Sequence, residues 1–336
     1  MIYDQQPETV VVAPSGGGSE QLIYTALLNE ALSAPIISPD NQWVAFTKGS
    51  TGSDLMVVSV APPHLPIRAT PGRQQVSGLG PSRYAFSPDS RSIAVTGDLA
   101  VSGRLDLRVF SLTTQLETIL ISASEVVAGG GVREIGWSNP GTLLARASLL
   151  ATPSQTHQIV TCAVAGPCSL LPGDPGNGVT TVGAMAVAPD GAFLVYTGNQ
   201  RTGFVDLYRI STLGGLSTRI VQSPTQAGRI GNSSLVISRD SQRVAFVADF
   251  ANPMSFFDVY VIPAAGATAV QPLVVATASQ AIDTLEFSPT ATSLAFRLRM
   301  AATGPYGAFR TVNLTTPGQS PVLLQASPVV DLRWSP

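Results

Sequence analysis

The sequence predicts an all-β fold: a seven-bladed β-propeller of four-stranded antiparallel blades, the last a composite of N- and C-terminal strands. Three observations predict it. A short turn motif returns about every fifty residues along the whole of the 336-residue chain. Apolar residues two apart lead into the motif, which puts both on one face of a strand. The stretches between are rich in Gly, Pro, Ser and Thr, and no apolar run approaches the ~18 residues of a membrane span.

The motif runs Ile37-Ser38-Pro39-Asp40, Phe86-Ser87-Pro88-Asp89, Trp137-Ser138-Asn139-Pro140, Val187-Ala188-Pro189-Asp190, Ile237-Ser238-Arg239-Asp240, Phe287-Ser288-Pro289-Thr290 and Trp334-Ser335-Pro336. Measured at the Ser position, the steps are 49, 51, 50, 50, 50 and 47 residues. A period of this size marks stacked structural units, each too small to bury its own apolar faces.

Each unit repeats one order of elements. A first strand enters the motif with apolar residues two apart, as in Tyr84/Phe86, Ile135/Trp137, Leu235/Ile237 and Leu285/Phe287. The motif is a turn, because Pro sets φ and Asp bonds nearby backbone. A second strand follows at once, as in Trp43–Phe46, Ser92–Val95, Phe193–Tyr196, Arg243–Phe246 and Ser293–Phe296. The third strand often opens on Asp, at Asp54, Asp106, Asp206 and Asp258, and a Gly/Pro/Thr-rich turn leads to a fourth such as Leu116–Leu120.

These units divide the chain into six full blades, 31–80, 81–130, 131–180, 181–230, 231–280 and 281–328. The closing blade draws on 1–30 and 329–336, with Glu8–Val12 as third strand, Gln21–Tyr24 as fourth and Val329–Trp334 as first. Its second strand has only Met1-Ile2-Tyr3 to come from. Joining the two ends in one sheet removes the open edges of a ring, so 1–336 is expected to be a single body.

Composition narrows the function classes. A net charge of −2 and a pI near 5.7 argue against a nucleic-acid partner or an anionic membrane surface. Charged residues make up 12%, about half the ~25% usual for soluble domains, and mean hydropathy is +0.26. Such a surface suits burial against a protein partner or self-assembly. Of 19 basic residues one is lysine, Lys48, which leaves 18 arginines, and these do not cluster. Met1-Ile2-Tyr3-Asp4 lacks a basic segment followed by an apolar one, so no signal peptide is visible.

Phe86-Ser87-Pro88-Asp89, Ala188-Pro189-Asp190-Gly191 and Asp206-Leu207-Tyr208 resemble the TolB-type, WD-repeat-like propellers, and the resemblance covers the whole chain. It departs at Asn139-Pro140, Arg239 and Thr290, and only one unit has Gly after Asp. The resemblance implies bacterial periplasmic or secreted interaction scaffolds, or companion domains of serine peptidases. Its signature residues are structural, and they imply fold and not activity. The chain has no Gly-x-Ser-x-Gly and no room for a hydrolase domain.

Few residues invite chemistry. Cys162 and Cys168 flank a tight turn between third and fourth strands, where a cross-strand disulfide fits; two free buried thiols are the alternative. They make poor metal ligands without a second Cys or His pair. His64 and His157, the only histidines, occupy unrelated places in their blades and cannot build a multi-histidine metal site. Asp54, Asp106, Asp206 and Asp258 could form a ring of carboxylates for a cation, or each could cap its own loop. Glu286 and Arg333 sit between the apolar residues of two first strands and could pair near the axial channel, as a buried ion pair or as a polar anchor for a ligand. Asn232-Ser233-Ser234 and Asn313-Leu314-Thr315 match the glycosylation acceptor pattern. No catalytic residue, cofactor site or metal site is assigned.

The expected function is a non-enzymatic binding or scaffold propeller of the cell envelope or extracellular space, mediating protein–protein interaction or assembly. The alternatives are a propeller hydrolase or lyase acting at the channel mouth, and a propeller domain of a longer multidomain protein.

Overall fold

The computed structural model describes residues 9–12, 19, 21–27, 30–49, 54–70, 83–101, 104–127, 130–150, 157–173, 182–199, 204–223, 230–250, 258–267, 271–275, 280–300, 308–315 and 321–325. It is a β-propeller with six four-stranded antiparallel blades. They follow a two-stranded hairpin made of β1 (Thr9–Val12) and β2 (Gln21–Thr25).

Blade one holds β3 (Leu32–Ile37), β4 (Trp43–Lys48), β5 (Asp54–Ser59) and β6 (Pro66–Arg68). Blade two holds β7 (Tyr84–Phe86), β8 (Ser92–Val101), β9 (Arg104–Ser111) and β10 (Glu117–Ile121). Blade three comprises β11 (Val132–Asn139), β12 (Thr142–Ala147), β13 (Gln158–Ala163) and β14 (Cys168–Leu170). Blade four comprises β15 (Val182–Val187), β16 (Phe193–Gly198), β17 (Asp206–Ser211) and β18 (Thr218–Val221). Blade five runs through β19 (Ile230–Ile237), β20 (Arg243–Ala248), β21 (Asp258–Pro263) and β22 (Pro272–Val274). Blade six runs through β23 (Gln280–Phe287), β24 (Ser293–Met300), β25 (Ala308–Asn313) and β26 (Val322–Gln325).

The expectation of seven blades is therefore corrected to six. A blade needs a turn motif followed by a second strand. Six motifs have one, in β4, β8, β12, β16, β20 and β24. The expected third and fourth strands of the composite blade do form, as β1 and β2, but among the described residues they make a two-stranded sheet with each other alone. Counting motifs overcounts blades by one because the motif marks a turn and not a sheet. Met1–Tyr3, Val329–Trp334 and the seventh motif lie outside the described residues.

The chain divides into two compact units, the first within Met1–Arg133 and the second within Glu134–Leu332. In the first, the hairpin packs on blade one through Val10, Ile23, Val44, Phe46 and Val58. Lys48 bonds the Tyr24 hydroxyl at 3.0 Å and pairs with Glu30 at 2.9 Å. Blades one and two share a core of Ala45, Val57, Tyr84, Ile93 and Phe110. In the second, Leu144, Met185, Leu194 and Tyr208 join blades three and four, and Val195, Leu207, Val244, Phe246 and Tyr260 join four and five. Blade six packs on five through Val247, Val259, Leu285 and Phe296. Second and third strands are buried on both faces, which is why they read as near-continuous apolar runs.

The motif works as a hydrogen-bonded turn. In blade one the Ser38 hydroxyl donates to Asp40 Oδ1 at 2.6 Å and accepts from the Trp43 amide at 2.9 Å. Asp40 Oδ1 also accepts from the Gln42 amide at 3.0 Å. Ser87/Asp89 and Ser238/Asp240 repeat this arrangement. The residue after Asp takes a left-handed conformation, at φ 60° in Asn41, 58° in Ser90, 59° in Ser241 and 71° in Gly191. Where it is Ser, the preceding blade uses it as a clasp. The Asp40 amide donates to Ser90 Oγ at 3.1 Å, and the Asp190 amide donates to Ser241 Oγ at 3.2 Å.

Candidate functional site

The clasp between blades three and four cannot form, and a groove lies there. At the Asp position of blade three stands Pro140, which has no amide hydrogen to donate. At the accepting position of blade four stands Gly191, which has no hydroxyl. Donor and acceptor are lost together. Asn139 takes over the turn cap one residue early, its Oδ1 accepting from the Gly141 amide at 2.9 Å. Gly191 in turn sits against blade three: a Cβ there would lie 1.8 Å from the Ser138 carbonyl oxygen.

The groove has a volume of about 590 Å³. Blade three contributes Ser138, Asn139 and Thr142 from its first turn, Thr161 and Ser169 from β13 and β14, then Leu171 and Pro172. Blade four contributes Asp190, Gly191, Ala192, Thr212 and Leu213. Antiparallel meandering puts the first-to-second and third-to-fourth turns at the same end of a blade, and this brings the two sets together. Asp190 is the only ionisable residue in the lining, and its Oδ1 accepts from the Ala192 amide at 2.9 Å. Thr212 Oγ1 donates to the Gly191 carbonyl at 2.7 Å, which ties two walls of blade four. Among the described residues, no protein hydrogen bond occupies the hydroxyls of Thr142, Thr161 or Ser169.

Two features fix the outer wall. Cys162 and Cys168 form a disulfide across paired positions of β13 and β14, with Cα atoms 4.0 Å apart. The adjacent pair on the same strands is Thr161 and Ser169. Beyond them the Gly215 amide donates to the Pro172 carbonyl at 2.9 Å. Gly173, at φ +82°, approaches so closely that a Cβ would stand 2.2 Å from the Gly215 carbonyl oxygen.

The repeated acidic positions do not converge. Asp54 pairs with Arg68 of its own blade at 2.5 Å. Asp206 accepts from the Ser223 amide at 2.8 Å and lies 3.5 Å from Arg219, also within one blade. Asp258 is buried at the start of β21. Asp106 is fully buried against Arg108, at 2.8 Å, and Arg108 reaches Glu117 at 2.8 Å. Burial works against the Arg108 charge, but the bond and charge of Asp106 and the charge of Glu117 outweigh it and raise its pKa. Loop capping thus describes Asp206, while Asp54 and Asp106 answer arginines. The signal was an Arg two residues on, in Arg108, or one strand later, in Arg68 and Arg219.

Glu286 is half-buried on β23 opposite Ala295, and Arg333 lies outside the described residues. His64 Nδ1 is 2.9 Å from the Ser59 carbonyl, and His157 precedes β13 in another blade and the other unit. Asn232 lies on β19, while Asn313 ends β25 exposed, its Oδ1 accepting from the Thr315 amide at 2.8 Å and hydroxyl at 2.7 Å. Among the described residues, no group of three or more His, Cys, Asp or Glu side chains could hold a metal ion, and no helix is long and apolar enough to cross a membrane.

Comparison with known proteins places the chain in a fold. No family model and no curated protein matches it. Among solved structures it resembles a putative TolB from Agrobacterium tumefaciens at 14% identity and a TM-score of 0.50, covering 92% of this chain and 86% of that one. The TolB of Acinetobacter baumannii matches at 14% identity and a TM-score of 0.50, over 91% of this chain and 57% of that longer one. Oligogalacturonate lyase from Vibrio parahaemolyticus matches at 11% identity and a TM-score of 0.64, over 96% and 85%. The class these structures and the six blades define is the β-propeller. Its members here include a lyase beside TolB proteins, so the fold does not choose between binding and catalysis.

Proposed function

We propose that the chain, 1–336, acts as one TolB-like propeller body: a non-enzymatic binding scaffold of the cell envelope or extracellular space that engages a protein partner. One observation carries the reading. Large apolar side chains stand in solvent at the third-to-fourth-strand turns: Leu65 and Leu116, each 68% exposed, in the first unit, and Leu213 at 89% and Leu216 at 79% in the second. Single exposed leucines are ordinary on a protein surface. These four recur at one class of turn in three blades, and apolar anchors on rigid loops suit partner recognition. The disulfide supports an oxidising compartment.

The test is site-specific photo-cross-linking in the native host, with the probe at position 116 or 216 and, as control, at Glu125, an exposed residue that follows β10 at the other end of blade two. Discrete protein adducts at 116 and 216 that are absent at 125 support the reading. Equal or absent adducts at all three sites overturn it.

A further inference from the structure

We propose that the groove between blades three and four binds a neutral oligosaccharide. This goes beyond partner recognition by the exposed turns, with which it shares Leu213 alone. The lining decides the ligand class. It offers hydroxyls from Ser138, Thr142, Thr161 and Ser169, the Asn139 amide and the Asp190 carboxylate, with no Lys or Arg. Without a cation to answer them, phosphates, nucleic acids and uronic acids are disfavoured, and Asp190 repels them. A neutral polyol suits it: hydroxyl groups both donate and accept, and a carboxylate accepts from two of them at once. Leu171, Pro172 and Leu213 supply aliphatic surface for the C–H face of a sugar ring. The volume falls in the ~300–1,000 Å³ range of ligand sites.

Rigidity supports the same conclusion. A ligand held by several weak bonds binds measurably only if the site is already formed, since ordering loops consumes affinity. The Cys162–Cys168 bridge holds Thr161 beside Ser169, and the Pro172–Gly215 contact holds the far wall. The groove lies at a blade junction whose motifs lack both clasp groups.

The experiment titrates the full oxidised chain with cellotetraose, maltotetraose and tri-N-acetylchitotriose, with tri-galacturonate as the charged control. Binding is read by calorimetry and by chemical-shift changes. Saturable binding of at least one neutral oligomer is expected, weakened about tenfold, ~1.4 kcal/mol, by Thr161→Val with Ser169→Ala. Tri-galacturonate should bind more weakly than that oligomer. Cys162→Ala with Cys168→Ala should weaken binding several-fold while the far-ultraviolet dichroism is unchanged. The proposal is overturned if none of the three neutral oligomers binds, or if the bound one is indifferent to Thr161→Val with Ser169→Ala in a variant that melts like wild type. Leu216→Ser should leave sugar binding unchanged, so failure here and failure of the partner reading remain separable.

Discussion

The most informative perturbation is Arg108→Met in blade two. Its guanidinium is 1% exposed and faces Asp106, which is 0% exposed, so deletion takes the ion-pair cation away from a carboxylate in the core. Methionine keeps most of the aliphatic volume, which isolates the charge effect from a cavity. Breaking a buried pair by removing one partner costs roughly 3–5 kcal/mol. Against a total of ~5–15 kcal/mol this is a large fraction. At ~2–4 °C per kcal/mol for a body of this size, the melt should fall by about 6–20 °C. Adding Asp106→Asn removes the remaining charge, so the double variant should be more stable than Arg108→Met alone. The sign with pH follows. In Arg108→Met the Asp106 carboxylate has lost its cation, so the penalty is full while that group is charged and shrinks as acid neutralises it. Urea melts of wild type, single and double variants at pH 7 and pH 5 measure all of this. A loss under about 1 kcal/mol, or a double variant no more stable than the single, would refute the buried-charge argument.

Other expectations are equally direct. Gly191→Ala should cost at least ~1–3 kcal/mol in a thermal melt, because its Cβ meets the Ser138 carbonyl at 1.8 Å; Asn41→Gly, at a comparable φ with no such contact, should change little. Reduction of Cys162–Cys168, whose separation is six residues, should cost about 2 kcal/mol by loop-closure entropy, read as a melting shift with and without reductant. Asp240 is held below its usual pKa chiefly by the Ser238 hydroxyl, with the Gln242 amide and Arg243 adding to it. In Asp40 burial opposes ionisation, but bonds from Ser38, the Gln42 amide and Ser90 prevail. A depressed folded pKa gives stability that is present above the ordinary carboxylate range, near 3.9, and lost as pH falls below it. Asp240→Asn should flatten that acid limb in pH-dependent urea melts, and an unchanged limb counts against the role.

What the sequence showed and what it hid divide along one line. Strand positions were legible because two signals coincide at each: a short apolar run and a fixed-distance turn. Thus Trp43–Phe46, Phe193–Tyr196 and Arg243–Phe246 fall inside β4, β16 and β20. Blade number was not, because one motif specifies one turn, and sheet membership depends on backbone pairing that no local residue encodes. The disulfide was legible since it needs only a hairpin in register. Arg108 was hidden: the third-strand position two after Asp carries Tyr208 and Tyr260 elsewhere, and nothing local tells a buried arginine from an exposed one. The Ser90 and Ser241 clasps were hidden for a subtler reason. Serine after Asp reads as a departure from the family's glycine, while its partner amide is fifty or so residues away in sequence.

That misreading bears on where function lies in a repeat protein. A residue that recurs in every unit answers a requirement that recurs in every unit, here the turn and the core. A ligand site needs the opposite, a place where one junction differs from its neighbours. Deviations of two kinds occur in this chain. At Ala291 the clasp hydroxyl is lost but Arg243 Nη1 donates to the Ala291 carbonyl at 2.9 Å, so blades five and six stay joined by another bond. At Pro140 and Gly191 both halves are lost, and among the described residues no side-chain bond joins the two turns in their place, although Arg146 Nη1 donates to the Val182 carbonyl elsewhere along the junction: Gly191 packs directly on Ser138 and the surrounding hydroxyls line the groove. A compensated deviation reads as drift within a structural constraint, and an uncompensated paired one reads as space kept open. Restoring the clasp makes this testable. Pro140→Asp with Gly191→Ser should, if the strain at Ser138 is absorbed, close the groove and abolish sugar binding in a variant that still melts cooperatively. Retained binding would show that the missing clasp is incidental to the site.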